Sequence, residues 1–264
     1  MTAGFAKREE CASWRAMKMA AATRHSQCDD GEMALHSASN PASVSTIADR
    51  LAEIRSQIAV AAVAAGRDPE SVELCVVSKT FPPEVIHEAM DAGQRLFGEN
   101  RPQEAMGKIP LLPPARWHLI GHLQSNKVRK ILPLVEMIHS VDSLDLAKDI
   151  SRIACELGLS RKVLLQVNVA SDDAKFGFTI AGVTAALPEL LALPGMVIRG
   201  LMTIPPLEGD PRPHFTALRR LRDALATTEH PLPELSMGMS GDFREAIAEG
   251  ATIVRVGSAI FGGR

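Results

Sequence analysis

From residue 72 onward the chain repeats one pattern eight times, a short apolar run followed by a helical segment, and no other feature constrains its fold as tightly. The runs span residues 72–77, 95–97, 116–120, 135–139, 163–169, 196–201, 234–237 and 252–256. Eight such units in one stretch predict an α/β fold, the (β/α)8 TIM barrel. A chain of 264 residues can bury that core in one piece, so residues 41–264 read as a single domain. A doubly wound open sheet is the alternative, but the first run is not followed by the G-x-G-x-x-G turn of a dinucleotide binder. Ahead of the barrel, Ile47, Leu51, Ile54, Ile58, Ala62 and Ala65 recur at helical spacing until Gly66, an extra N-terminal amphipathic helix. Ser125, Asp142 and the pair Asp242 and Glu245 are placed to cap the helices that follow them.

In a barrel all strands open their carboxyl ends on one face, so the residues just past them converge without further assumption. The first five strands bring Lys79, Asn100, His122, Asp142 and Asn168, and the last three bring Met202, Ser240, Arg255, Gly257 and Ser258. Lys79 follows Val76-Val77-Ser78 and precedes Phe81-Pro82-Pro83. A lysine held there, partly desolvated by apolar neighbours, can form an imine with an aldehyde; a solvated loop lysine is the plainer reading. Ser240-Gly241 and Gly257-Ser258 follow the seventh and eighth strands, where barrels often bind phosphate through small residues, hydroxyls and backbone N–H groups. A phosphate site facing an imine-forming lysine implies pyridoxal 5'-phosphate (PLP). Arg255 stands two residues before Gly257 and so points into the barrel, where it needs an acceptor. The cofactor's ring nitrogen is one candidate, and a structural ion pair with a carboxylate is the other.

Several stretches carry a family resemblance: Val76-Val77-Ser78-Lys79-Thr80, Phe97-Gly98-Glu99-Asn100, Trp117 to Lys127, Gly200-Leu201-Met202, Leu235 to Ser240 and Val254 to Gly262. In this order, from about Ile47 onward, the chain resembles the pyridoxal phosphate homeostasis family. That resemblance implies a fold-type III PLP-binding barrel similar to the N-terminal domain of alanine racemase. It implies PLP as a Schiff base on Lys79, phosphate held by Ser240, Gly257 and Ser258, ring nitrogen near Arg255, and Asn100 and Met239 lining the ring. Ser258 departs from the threonine usual in the family.

The resemblance and the residues together imply a protein that holds PLP for intracellular homeostasis, buffering it or delivering it to PLP-accepting apo-enzymes, as a monomer or weak dimer. No catalytic residue is assigned. Alanine racemases use a tyrosine as a second base, and this chain contains none; it also stops shortly after Phe261, without room for the racemase β domain. A low-activity racemase or lyase, with His122 or Lys175 as acid or base, is the enzymatic alternative, and a Schiff-base aldolase without pyridoxal is a third. Lys127 and Lys175 are the other amines near the mouth.

Composition narrows the partners. With 29 basic and 31 acidic residues, net charge −2, no field draws nucleic acid or an anionic membrane. Neither is expected, and no apolar run reaches a membrane span. Cys11, Cys28, Cys75 and Cys155 lie far apart, which fits neither a disulfide scaffold nor a metal site and points to the reducing cytoplasm. Residues 1–40 lack periodicity and read as a disordered leader, with neither a secretory h-region nor the acid-poor composition of a transit peptide.

Overall fold

The computed structural model describes residues 45–170, 172 and 175–262; the expected leader lies outside the described residues. Eight parallel strands close on themselves in chain order: β1 Glu73–Val77, β2 Leu96–Glu99, β3 Arg116–Leu119, β4 Met137–Val141, β5 Arg161–Gln166, β6 Met196–Met202, β7 Glu234–Ser236 and β8 Ile253–Val256. The barrel closes where Val76 of β1 sits opposite Val256 of β8 on one side and Phe97 of β2 on the other.

The covering helices are α1 Ile47–Ala64, α2 Pro83–Asp91, α3 Pro102–Lys108, α4 Val128–Ile131, α5 Leu144–Glu156, α6 Ile180–Ala192, α7 Arg212–Leu225, α8 Phe243–Ala248 and α9 Ser258–Phe261. Helix α1 starts at Thr46, whose hydroxyl accepts from the Asp49 amide while Asp49 accepts from the Thr46 amide. Its stripe of Ile47, Leu51, Ile54, Ile58 and Ala62 is buried, each larger side chain stabilising the fold by about 1.5–3 kcal/mol. It packs on α8 and α9, so the last strand's carboxyl end is braced from outside.

Alternation along each strand divides the core in two. One layer, with Leu74, Val76, Phe97, Trp117, Ile138 and Val254, lies between strands and helices. The other fills the barrel with Cys75, Val77, Leu96, Ile120, Met137, Leu164, Met202 and Ile253. Burial pushes the Cys75 thiol up to about 12, which leaves it unreactive.

The structure corrects several local expectations. Strand β2 runs on through Gly98 and Glu99, and β4 begins at Met137 and runs on through Ser140 and Val141, because ladder hydrogen bonds continue past the apolar run. Ser125 lies inside a 3₁₀ turn and caps nothing. Asp142 is engaged elsewhere, and Ser143 caps α5 by accepting from the Leu146 amide. Asp242 precedes α8 without a side-chain cap, its Oδ1 accepting instead from the Met239 amide at 2.5 Å, so the box with Glu245 does not form. Among the described residues no helix is long and apolar enough to cross a membrane, and no three His, Cys, Asp or Glu side chains are grouped to hold a metal ion.

Candidate functional site

Lys79 sits in a tight turn at the mouth. The Phe81 amide donates to the Ser78 carbonyl at 3.1 Å, making Lys79 and Thr80 the two corner residues. Thr80 has φ 69°, a left-handed conformation that glycine usually supplies and that costs a β-branched residue on the order of 1–3 kcal/mol. The Lys79 side chain is exposed. The expected desolvation by apolar neighbours is therefore not found: the turn projects the side chain past the apolar strand end. Its amine has no partner among the described residues.

The turn is fastened from below. Ser78 is buried, and its hydroxyl donates to Glu99 Oε1 at 3.0 Å. The same carboxylate oxygen accepts from Lys108 Nζ at 2.6 Å, while Glu99 Oε2 accepts from the Asn100 amide at 3.1 Å. Lys108 Nζ also donates to the Ser78 carbonyl at 2.9 Å and to Glu104 Oε2 at 2.8 Å. Glu104 Oε2 in turn accepts from the Thr80 amide at 2.6 Å. Burial raises the Glu104 pKa, but the bonds from Lys108 and Thr80 outweigh it and hold the carboxyl below its ordinary value. Glu99 is fully buried, and these partners are what make a charge there tolerable.

Beside this turn the loops after β7 and β8 meet, since β8 pairs with β1. Ser240 Oγ lies 3.2 Å from Ser258 Oγ and accepts from the Gly257 amide at 3.4 Å. The Ser258 and Ala259 amides, at the start of α9, have no acceptor among the described residues. A Cβ on Gly257 would come within 3.0 Å of the Val77 carbonyl, so glycine lets β8's end lie against β1's. Phe81 packs on Phe261, ring centroids 4.6 Å apart, tying the lysine turn to α9. Half-buried Asn100 contributes an amide oxygen, Oδ1, that is buried without a hydrogen-bond partner. Its neighbour Gly121 has no room for a side chain, since a Cβ would stand 2.1 Å from the Asn100 carbonyl. Met239 is half-buried beside Ser240.

Arg255 is inside the barrel, 4% exposed. Its partners are the Ser236 hydroxyl at 2.6 Å and the Thr203 carbonyl at 2.9 Å, neither a carboxylate, so the ion-pair alternative is not what the barrel contains. Burial lowers its pKa to about 10, with Cys75 and Asp242 opposing. From Ser236 the polar chain continues to His139 Nδ1 at 2.9 Å and from His139 Nε2 to His118 Nδ1 at 2.9 Å. Arginine only donates, so the Ser236 hydroxyl accepts from it and passes its own proton toward His139 Nδ1. His139 is then the Nε2–H tautomer, and so is His118, whose Nε2 is buried without a partner. Burial lowers the His118 pKa to about 4 and the His139 pKa well below its ordinary value, with the His118 and Arg255 charges adding to the effect at His139.

Other expected members stand aside. Met202 is packed inside the barrel, and Asn168 organises its own loop, donating to the Asp172 carbonyl at 2.7 Å. His122 pairs with Asp142 at 3.0 Å and stacks on Phe176, ring centroids 4.0 Å apart. Lys175 donates to the Pro205 carbonyl at 2.8 Å, and Lys127 ends the 3₁₀ turn before α4. A concavity of about 640 Å³ opens at the opposite, amino end of the strands beside Glu73, Arg95 and Arg116, away from this assembly. The sequence reading assigned no role to Glu99, Glu104, Lys108, His118, His139, Thr203 or Ser236. The available signal was polar residues at inward positions of β3, β4 and β7; for Glu99, Glu104, Lys108 and Thr203 there was none.

Residues 50–264 match the family described as the N-terminal domain of alanine racemase. The chain is 44% identical over 223 residues to the pyridoxal phosphate homeostasis protein of Pseudomonas aeruginosa, covering 84% of this chain and 97% of that one. It is 42% identical over 222 residues to the protein of the same name from Aquifex aeolicus, covering 82% and 97%. Among solved structures, PipY of Synechococcus elongatus with PLP bound superposes with TM-score 0.73 at 46% identity, covering 82% of this chain and all of that one. The alanine racemase of Corynebacterium glutamicum shares the fold at TM-score 0.64 and 18% identity, over 81% and 62% of the two chains.

Proposed function

The chain belongs to the family of pyridoxal phosphate homeostasis proteins, built on the barrel of the alanine racemase N-terminal domain, and from that premise we propose that it binds PLP as a Schiff base on Lys79 and serves intracellular PLP homeostasis by holding and releasing it. The residues at the mouth fit that group. Lys79 offers an amine with no partner among the described residues, the Ser240, Gly257 and Ser258 cup offers hydroxyls and the unengaged Ser258 and Ala259 amides, Asn100 Oδ1 is an orphaned acceptor, and Arg255 is a buried donor. Asn100 and Met239 would flank the ring. When bound, PLP supplies an aldehyde for reversible imine formation and a pyridine ring able to withdraw electrons.

The protein's own groups limit that chemistry. Arg255 would face the ring nitrogen as a donor that keeps its proton, while its neighbour Ser236 accepts a hydrogen bond from it and donates its own to His139. A nitrogen held so would stay unprotonated, and the ring would be a weak electron sink. The observation that carries the reading is the amine of Lys79 beside the cup formed by Ser240, Gly257 and Ser258, reinforced by the absence of tyrosine from the sequence. We place the protein in the cytoplasm as a monomer or weak dimer, with PLP-accepting apo-enzymes as recipients.

The enzymatic alternative, a low-activity racemase or lyase, would need His122, set against Asp142 at the mouth, as its base. Incubation with common amino acids in deuterated buffer separates the two. Retention of the α-hydrogen over many hours supports the homeostatic reading. Rapid exchange lost in both Lys79→Ala and His122→Ala would replace it with the enzymatic one.

A further inference from the structure

The peptide groups on either side of Lys79 are both held by the same helix. Lys108 Nζ, at the end of α3, donates to the Ser78 carbonyl at 2.9 Å, and Glu104 Oε2, one turn earlier, accepts from the Thr80 amide at 2.6 Å. The two side chains bond each other at 2.8 Å, and Lys108 is anchored at 2.6 Å to buried Glu99, which also takes the Ser78 hydroxyl. Between the two held groups lies the turn whose second corner, Thr80, is in the left-handed region that a β-branched residue disfavours. A turn of that kind relaxes unless its surroundings over-determine it. Two charged groups of α3 therefore hold two backbone atoms that serve no ladder and no helix, and Glu99 of β2 anchors one of them. Their effect is to fix where Lys79 leaves the barrel.

We infer that Glu104 and Lys108 are positioning residues for Lys79: a carboxylate–ammonium clamp holds the Ser78-to-Phe81 turn in its strained form and so fixes the direction in which the amine is presented to the cofactor's aldehyde. The inference rests on the PLP reading above and adds what sets the affinity. Neither clamp residue is among those that would hold the cofactor; their bonds go to the turn and to Glu99. They act by keeping the amine pre-organised, so that no binding free energy goes into ordering the turn. Releasing the clamp lets Thr80 return to ordinary φ and moves Lys79 away from the productive direction.

The test uses the full-length chain, stripped of cofactor and titrated with PLP by the visible absorbance of the imine. Glu104→Ala removes the acceptor for the Thr80 amide and is expected to weaken PLP binding about ten- to hundred-fold. Glu104→Gln keeps an acceptor and should stay within a few-fold of the parent. The decisive variant is Glu104→Ala combined with Thr80→Gly. Glycine adopts positive φ without strain, so the second substitution should restore most of the lost affinity, which a general packing defect would not allow. Equal affinities of Glu104→Ala and the parent would overturn the clamp while leaving the PLP reading intact. A weakened Glu104→Ala that Thr80→Gly does not rescue would overturn it too, placing the effect outside the turn. A parent protein that forms no imine at all would remove the PLP reading, and the clamp with it.

Discussion

The buried pair His118 and His139 gives the fold an acid sensitivity whose size follows from the structure. Folding lowers the His118 pKa from the ordinary 6.5 to about 4, chiefly by burial, with Glu136 opposing and Arg116 and Lys162 assisting. A group whose folded pKa is depressed binds more protons when unfolded, so its contribution is complete above 6.5 and falls as pH drops toward about 4. Between about pH 7.5 and about pH 5, His118 alone removes about 2 kcal/mol of stability. His139 moves in the same direction, less than additively, because protonating one imidazole disfavours a second charge 2.9 Å away. Carboxylates held down by their partners, Glu136 at about 2 and Glu104, lose their contribution only below the ordinary 4.5. Asp242, raised by burial, works in the opposite direction. Urea unfolding at the two pH values measures the loss directly. The double variant with His118→Gln and His139→Gln should lose no more than about half of what the parent loses. If it loses as much, the histidines are not the source and the assignment of a neutral, polarised pair is wrong.

Three further outcomes follow from the geometry. Gly121→Ala drives a Cβ to 2.1 Å from the Asn100 carbonyl, a backbone atom with little freedom to move, and should cost more than about 3 kcal/mol in denaturant unfolding. Ser236→Ala leaves an Arg255 N–H and His139 Nδ1 unpaired and should cost about 1–3 kcal/mol, with a shift in the visible band of the PLP-loaded protein as Arg255 loses its anchor. Ser240→Ala with Ser258→Ala removes both hydroxyls of the cup and should weaken PLP about ten-fold or more, and pyridoxal lacking phosphate hardly at all, with little change in unfolding midpoint.

How much of this was legible in the sequence depends on whether a feature is local. The eight apolar runs mark the strands because each strand's outward and inward faces are both buried, and the strand ends then converge by topology alone. That is why Lys79, Ser240, Gly257 and Ser258 could be named without coordinates. The same rule cut β2 and β4 short, since Glu99 and Ser140 are polar yet fully buried, Glu99 through its partners on α3 and Ser140 through a 2.6 Å bond to the Gly121 carbonyl. Two of the cap expectations failed because Asp142 and Asp242 found better partners in His122 and the Met239 amide, and the third because Ser125 falls inside a 3₁₀ turn; none of these follows from helix-start spacing. Lys108 looked like an ordinary helix-end lysine, and only the folded barrel shows it buried under the turn of Lys79.

The central claim is that this barrel exists to hold PLP on one lysine. Borohydride reduction of the PLP-loaded protein, followed by peptide mapping, tests it most directly by making the attachment permanent. The account predicts a pyridoxyl group on the peptide containing Lys79, formed in near-stoichiometric amount and abolished by Lys79→Ala. Label confined to Lys127 or Lys175, or label undiminished in that variant, would contradict it.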